Sequence, residues 1–164
     1  MEFNENTEGS LIAVIGQKGI GLIVYSDDMG WQLCRTSNVS ASNTIVYADT
    51  FSDLMKEIQK LYPDKVIKCQ FTDFNKYDDD RGTLSNIIST EENIINEDYK
   101  GIIIVVKNGA PFGYITWNDE LGWTFCTTIK SLTNCTFYEK LDELLESVST
   151  FGGNISFKYV KFFN

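Results

Sequence analysis

Short apolar runs separated by polar turns fill residues 9–50, after which the apolar spacing changes from that of a strand to that of a helix. Ser10 to Ile15 and Ile20 to Ser26 read as the first two strands, divided by the turn-forming Gly16-Gln17-Lys18-Gly19. Asp27-Asp28-Met29-Gly30 reads as a four-residue hairpin loop whose glycine supplies a positive φ, and Trp31 to Thr36 reads as the third strand. A polar loop rich in Ser, Thr and Asn is expected to follow. The helix is predicted from Thr50, whose hydroxyl caps it, with Phe51, Leu54, Met55, Ile58, Leu61 and Tyr62 on one face and Pro63-Asp64 as its stop. Lys65 to Asp73 reads as a closing strand. Pairing Ser26 with Trp31 across the hairpin puts Ile20, Leu22, Val24, Trp31 and Leu33 on one face of the sheet and Ile23, Tyr25 and Cys34 on the other.

Residues 101–164 run through the same order. Gly101 to Val106, Phe112 to Asn118 and Trp123 to Ile129 read as strands, and Asp119-Glu120-Leu121-Gly122 as the hairpin loop. A helix carrying Leu141, Leu144, Leu145, Val148 and Phe151 stops at Gly152-Gly153 before a strand from Asn154 to Phe163. The likeness is literal in places. Tyr25 to Cys34 returns as Trp117 to Cys126 at a separation of 92 positions (123 − 31 = 92), and the same offset matches Gly9 to Gly101, Gly21 to Gly113, Thr36 to Thr128 and Thr44 to Thr136. One shared register over so many positions argues for duplication. The expected fold is therefore α+β: a tandem duplication of a β-β-β-α-β unit with mainly antiparallel sheets. With a helix covering one face of each sheet, the sister unit is the cheapest cover for the other, which makes an internal pseudo-dimer.

Charge divides the chain in a way that periodicity does not. Of the net −9, residues 1–8 carry −3 as an acidic tail. Repeat one (9–74) and repeat two (101–164) each carry −1, and the connector (75–100), with seven acids against three bases, carries −4. Leu84, Ile87, Ile88 and Ile95 fit a helical stripe, so the connector is expected to hold an acidic crossover helix. Asp78, Asp79, Asp80, Glu91, Glu92, Glu97 and Asp98 would form its acidic face. Such a field disfavours nucleic acid phosphates and favours basic partners.

With no histidine in the chain, nucleophilic catalysis built on an imidazole base is excluded, and two arginines rule out a multi-arginine phosphate clamp. Four cysteines without close pairing suit reduced, buried thiols better than zinc or a disulfide framework. Gly16 to Gly21 lacks the strand-to-helix context of a phosphate loop. Aligning Gly82 with the glycine of a calcium loop puts Tyr77 and Ile88 at ligand positions, so that pattern fails. The pairs Asp27-Asp28 and Asp119-Glu120 recur as twin acid and base sites would, yet acids also initiate turns by bonding their own backbone. Tyr25 with Trp31 and Trp117 with Trp123 place two large rings beside each acid pair, as core packing or as a recognition surface.

These residues point to a non-enzymatic protein-binding module. The expected function is that of a small acidic inhibitor or immunity-type protein neutralising a basic partner through Tyr25, Asp27, Asp28, Trp31, Trp117, Asp119, Glu120 and Trp123. The Lys- and Asn-rich, Arg-poor composition suits a bacterial or phage genome of high AT content. One alternative is a binder or sponge for a nucleotide or small aromatic ligand, in a cleft between repeats or between protomers of a homodimer. A second is a nucleic-acid mimic acting through the acidic connector. No cofactor, no metal, no direct nucleic-acid contact and no membrane association is expected. The polar, acidic start lacks the layout of a secretory signal, and no apolar run approaches the roughly 20 residues of a membrane span, so the expected location is cytoplasmic.

Overall fold

The computed structural model describes residues 3–75, 95–131 and 136–163. Among the described residues, ten strands form two five-stranded antiparallel sheets, and each sheet carries a helix on its outer face. Sheet one contains β1 (Gly9–Ile15), β2 (Lys18–Ser26), β3 (Gly30–Cys34), β4 (Thr44–Ala48) and β5 (Ile67–Asp73), in the order β4-β3-β2-β1-β5. Helix α1 (Phe51–Leu61) lies between β4 and β5 in the chain. Sheet two contains β6 (Gly101–Lys107), β7 (Ala110–Asn118), β8 (Gly122–Cys126), β9 (Thr136–Tyr138) and β10 (Ile155–Lys161), in the equivalent order β10-β6-β7-β8-β9, with α2 (Leu141–Ser149) before β10.

Each half thus carries a strand that the sequence pattern concealed. Thr44-Ile45-Val46-Tyr47-Ala48 pairs with β3 and Thr136-Phe137-Tyr138 pairs with β8, where a polar loop was expected. Both are edge strands, with no residue fully buried, so they lack the strong in-and-out alternation of the central strands. The third strands are correspondingly shorter than expected. β3 ends at Cys34 and β8 at Cys126, and the residues that follow leave their own sheet to contact the other half.

The hairpin register also differs by one residue. Ser26 pairs with Gly30 and Tyr25 with Trp31, because Gly30, at φ +77°, closes a three-residue loop and joins the ladder itself. Gly122, at φ +89°, does the same opposite Asn118. With period-two alternation this one-residue slip moves Trp31 and Leu33 onto the face of Ile23 and Tyr25, under α1. Leu22 and Val24 then share the inner face with Cys34 and Gln32.

Three apolar layers follow from this patterning. Leu54 and Ile58 of α1 pack on Leu11, Ile23, Trp31 and Leu33, and Leu144 and Val148 of α2 pack on Ile103, Ile115, Trp123 and Phe125. Thr50 caps α1 by accepting the Asp53 N–H at 3.1 Å, as the spacing predicted. The inner faces meet in a third core, with Ile12, Val14, Leu22, Val24 and Cys34 from sheet one against Ile102, Ile104, Val106, Tyr114, Cys126, Val160 and Phe162. Each fully buried Leu or Ile there stabilises the fold by about 1.5–3 kcal/mol relative to exposure.

Reciprocal backbone bonds stitch the halves together. The Tyr25 N–H donates to the Ile129 carbonyl and the Ser131 N–H to the Tyr25 carbonyl; the Trp117 N–H donates to the Ser37 carbonyl and the Val39 N–H to the Trp117 carbonyl. The Ile129 N–H donates to the Thr7 carbonyl, and the Ser37 N–H to the Tyr99 carbonyl. Every member of one set lies 92 positions from its counterpart in the other. The connector's acidic residues Asp78, Asp79, Asp80, Glu91 and Glu92, and most of its expected helix, lie outside the described residues. Of its remaining acids, Glu97 and Asp98 occupy an exposed turn rather than a helix, with the Asp98 N–H on the Asn96 carboxamide oxygen.

Candidate functional site: the paired hairpin ends

The β2–β3 and β7–β8 hairpin ends approach one another at one end of the sandwich, where residues of both loops line a common pocket. Residues from the opposite half secure each of them. The Asp119 carboxylate accepts hydrogen bonds from Trp117 Nε1 (3.1 Å), Asn38 Nδ2 (3.3 Å) and Ser42 Oγ (3.2 Å), while its own N–H donates to Ser40 Oγ at 2.8 Å. The Trp117 indole N–H is the main reason its carboxyl is held below the usual range; slight burial opposes this, and Ser42, Ser40 and Asn38 add to it. At the matching position in sheet one, Asp27 pairs with Lys130 Nζ at 3.0 Å. Lys130 stands 92 positions after Asn38, so one structural task is performed by an amide in one half and an ammonium in the other.

The aromatic pairs divide by depth. Trp31 and Trp123 are 5% and 4% exposed and belong to the cores under α1 and α2, so they present no ring face to a ligand. Tyr25 and Trp117 meet them edge to face, at 5.7 and 5.5 Å between ring centres, and remain partly exposed. Of the eight hairpin residues singled out from sequence, Asp28, Asp119 and Glu120 line a pocket of about 270 Å³ between the two loops, beside Ser26, Gln32, Ser40 and Ser42. Asp119 and Glu120 also line a groove of about 740 Å³ running over the second half, together with Trp117, Phe137, Tyr138, Glu139 and Glu143. Phe137 is 52% exposed there. Among the described residues, the pocket and the groove present five carboxylates and no basic lining residue.

No family model, curated protein or solved structure matches the chain.

Burial pushes the Cys34 thiol up to about 12, against a smaller opposing hydrogen bond with Thr44, and the Cys69 thiol up to about 11, so neither is a thiolate at neutral pH. Among the described residues no group of three or more Cys, Asp or Glu side chains is placed to hold a metal ion. No described helix is long and apolar enough to cross a membrane. A third cavity, of about 420 Å³ by the β6–β7 turn, mixes Glu8 with Lys107 and has no single charge character.

Sequence reasoning missed Asn38, Ser40, Ser42 and Lys130, which secure the hairpin ends, and Phe137, Tyr138, Glu139 and Glu143, which extend the acidic surface. One signal was available. The 92-residue register runs on to Thr44 and Thr136, the first residues of β4 and β9, and so reaches the strand that carries Phe137 and Tyr138.

Proposed function

We propose that this chain is a non-enzymatic binding protein of the inhibitor or immunity type, of bacterial or phage origin, that captures a basic protein at the paired hairpin ends. We read its two halves as a tandem duplication packed as an internal pseudo-dimer, on the strength of the matching strand orders and the hydrogen bonds repeated at one offset. The observation that carries the functional reading is the groove itself: four carboxylates beside the half-exposed Phe137 and the rings of Trp117 and Tyr138, with no basic side chain among its described lining residues. Aromatic rings flanked by acids suit lysine and arginine side chains, whose charge meets the carboxylates and whose stems or planar heads lie on the rings. The carboxylates also steer a basic partner toward the groove, an effect that weakens with salt.

The test is differential capture followed by reconstitution. The Glu120→Lys/Glu143→Lys variant should lose a basic protein that the wild type retains at modest salt, while Asp53→Lys/Glu57→Lys, an equal charge change on α1, should keep it. The retained protein, once purified, should form a stoichiometric complex that weakens as salt rises. Equal capture by both variants, or no stoichiometric complex, rejects the reading.

A further inference from the structure

Gln32 lines the pocket between the two hairpin ends. Gln32 is only 1% exposed, and its Nε2 donates to Thr44 Oγ1 at 2.6 Å and faces Met29 Sδ at 3.6 Å. Its Oε1 has no hydrogen-bond partner. A buried amide oxygen left unpaired is costly, so such a group points to a donor that arrives with a ligand. Gln32 shares the inner sheet face with Val24 and lines the pocket with Asp28 and Glu120, neither of which has a carboxylate partner among the described residues. Asp119 is also there but is already engaged with Trp117, Asn38 and Ser42.

We propose that this pocket takes a guanidinium group, with an N–H donating to Gln32 Oε1 and the positive charge set between Asp28 and Glu120. The donor set argues for that chemistry. A carbonyl oxygen and two carboxylates from three segments can be met at once by a planar fork of five N–H groups, whereas an ammonium acts as a compact, strongly hydrated point charge. A metal ion is disfavoured because no third carboxylate or thiol among the described residues joins Asp28 and Glu120 in a ligand cluster. A cavity of about 270 Å³ has room for a guanidinium and its alkyl stem. The inference rests on the reading above: the guanidinium is that of an arginine on the basic partner, seated beside the groove that takes the rest of its surface.

The test uses ethylguanidinium as the probe and the side-chain amide signals of Gln32 in the ¹H–¹⁵N NMR spectrum of the whole protein. Saturable shifts of those signals are expected, weakened at least tenfold in Asp28→Asn/Glu120→Gln and unchanged in Asp53→Asn/Glu57→Gln, an equal charge change on α1. Each variant's remaining spectrum should overlay the wild type, which separates lost binding from lost folding. Failure of ethylguanidinium to move Gln32, or equal binding of butylammonium, overturns the assignment even if the groove variant still loses its protein partner. Saturable binding of the probe, with no protein ever captured, supports the pocket chemistry, assigns it to a free guanidinium compound and rejects the partner reading instead.

Discussion

Ile104→Ala places a cavity in the core between the sheets and so tests whether the halves are one cooperative unit. Ile104 is fully buried, among side chains contributed by both sheets. Truncating a buried Ile to Ala costs about 2–5 kcal/mol, from lost transfer energy plus the cavity left behind. At a urea m-value of about 2 kcal/mol per molar, the middle of the range for small proteins, the midpoint should fall by about 1–2.5 M. The halves can be followed separately by fluorescence, because Trp31 reports sheet one and Trp117 with Trp123 report sheet two. Trp117→Phe/Trp123→Phe leaves the first reporter and Trp31→Phe leaves the second. In each background, adding Ile104→Ala should lower the midpoint by the same amount, even though Ile104 belongs to sheet two. If the Trp31 reporter keeps its midpoint while the other shifts, the sheets unfold independently and the shared core is not what couples them.

Three further outcomes are expected. Gly30→Ala and Gly122→Ala should each lose about 1–2 kcal/mol for an alanine at positive φ, plus a penalty for a Cβ 2.7 Å from the Ala48 or Tyr138 carbonyl oxygen. Gly16→Ala, at φ +62° in open space, should lose only the first part, so equal losses of thermal stability at all three positions would count against the contact argument. Lys140 starts α2 without a side-chain cap, so Lys140→Ser should raise stability in urea by about 0.5–2 kcal/mol, while Thr50→Ala should lose a similar amount from α1. Cys34 binds its proton more tightly folded than unfolded, so its contribution is intact below its ordinary pKa of 9.0 and is lost progressively as pH rises from there towards about 12. The fall in stability between pH 9 and 11 should therefore be shallower in Cys34→Val than in the wild type, and identical slopes would show that the thiol is not its source.

The central strands and both helices were legible because Leu11 to Val14, Ile102 to Val106 and the Leu54/Ile58 and Leu144/Val148 spacings carry strong apolar periods. β4 and β9 were not, because edge strands with one exposed face and Ser, Thr and Asn before them imitate loops. The faces of Trp31 and Leu33 turned on a single residue of register, which depended on Gly30 entering the ladder rather than ending the loop. The acid pairs at 27–28 and 119–120 were visible, but their division of labour was not. What separates Asp119 as a latch from Glu120 as a lining group is the position of Asn38, Ser40 and Ser42, about 80 residues away in sequence. Non-local contacts of that kind leave no local signature.

The bonds that cross between halves also govern the order of events during synthesis. A ribosome releases the first sheet with Ile12, Val14, Leu22, Val24 and Cys34 facing water, because their cover begins only at Gly101. At about 5–20 residues per second, that surface waits on the order of several seconds for its counterpart. On a crowded message, two neighbouring nascent chains each present the same uncovered sheet during that interval. The stretch between Asp73 and Gly101 therefore sets not only how far apart the halves lie in the chain, but how long each newborn molecule is open to pairing with the wrong copy of itself.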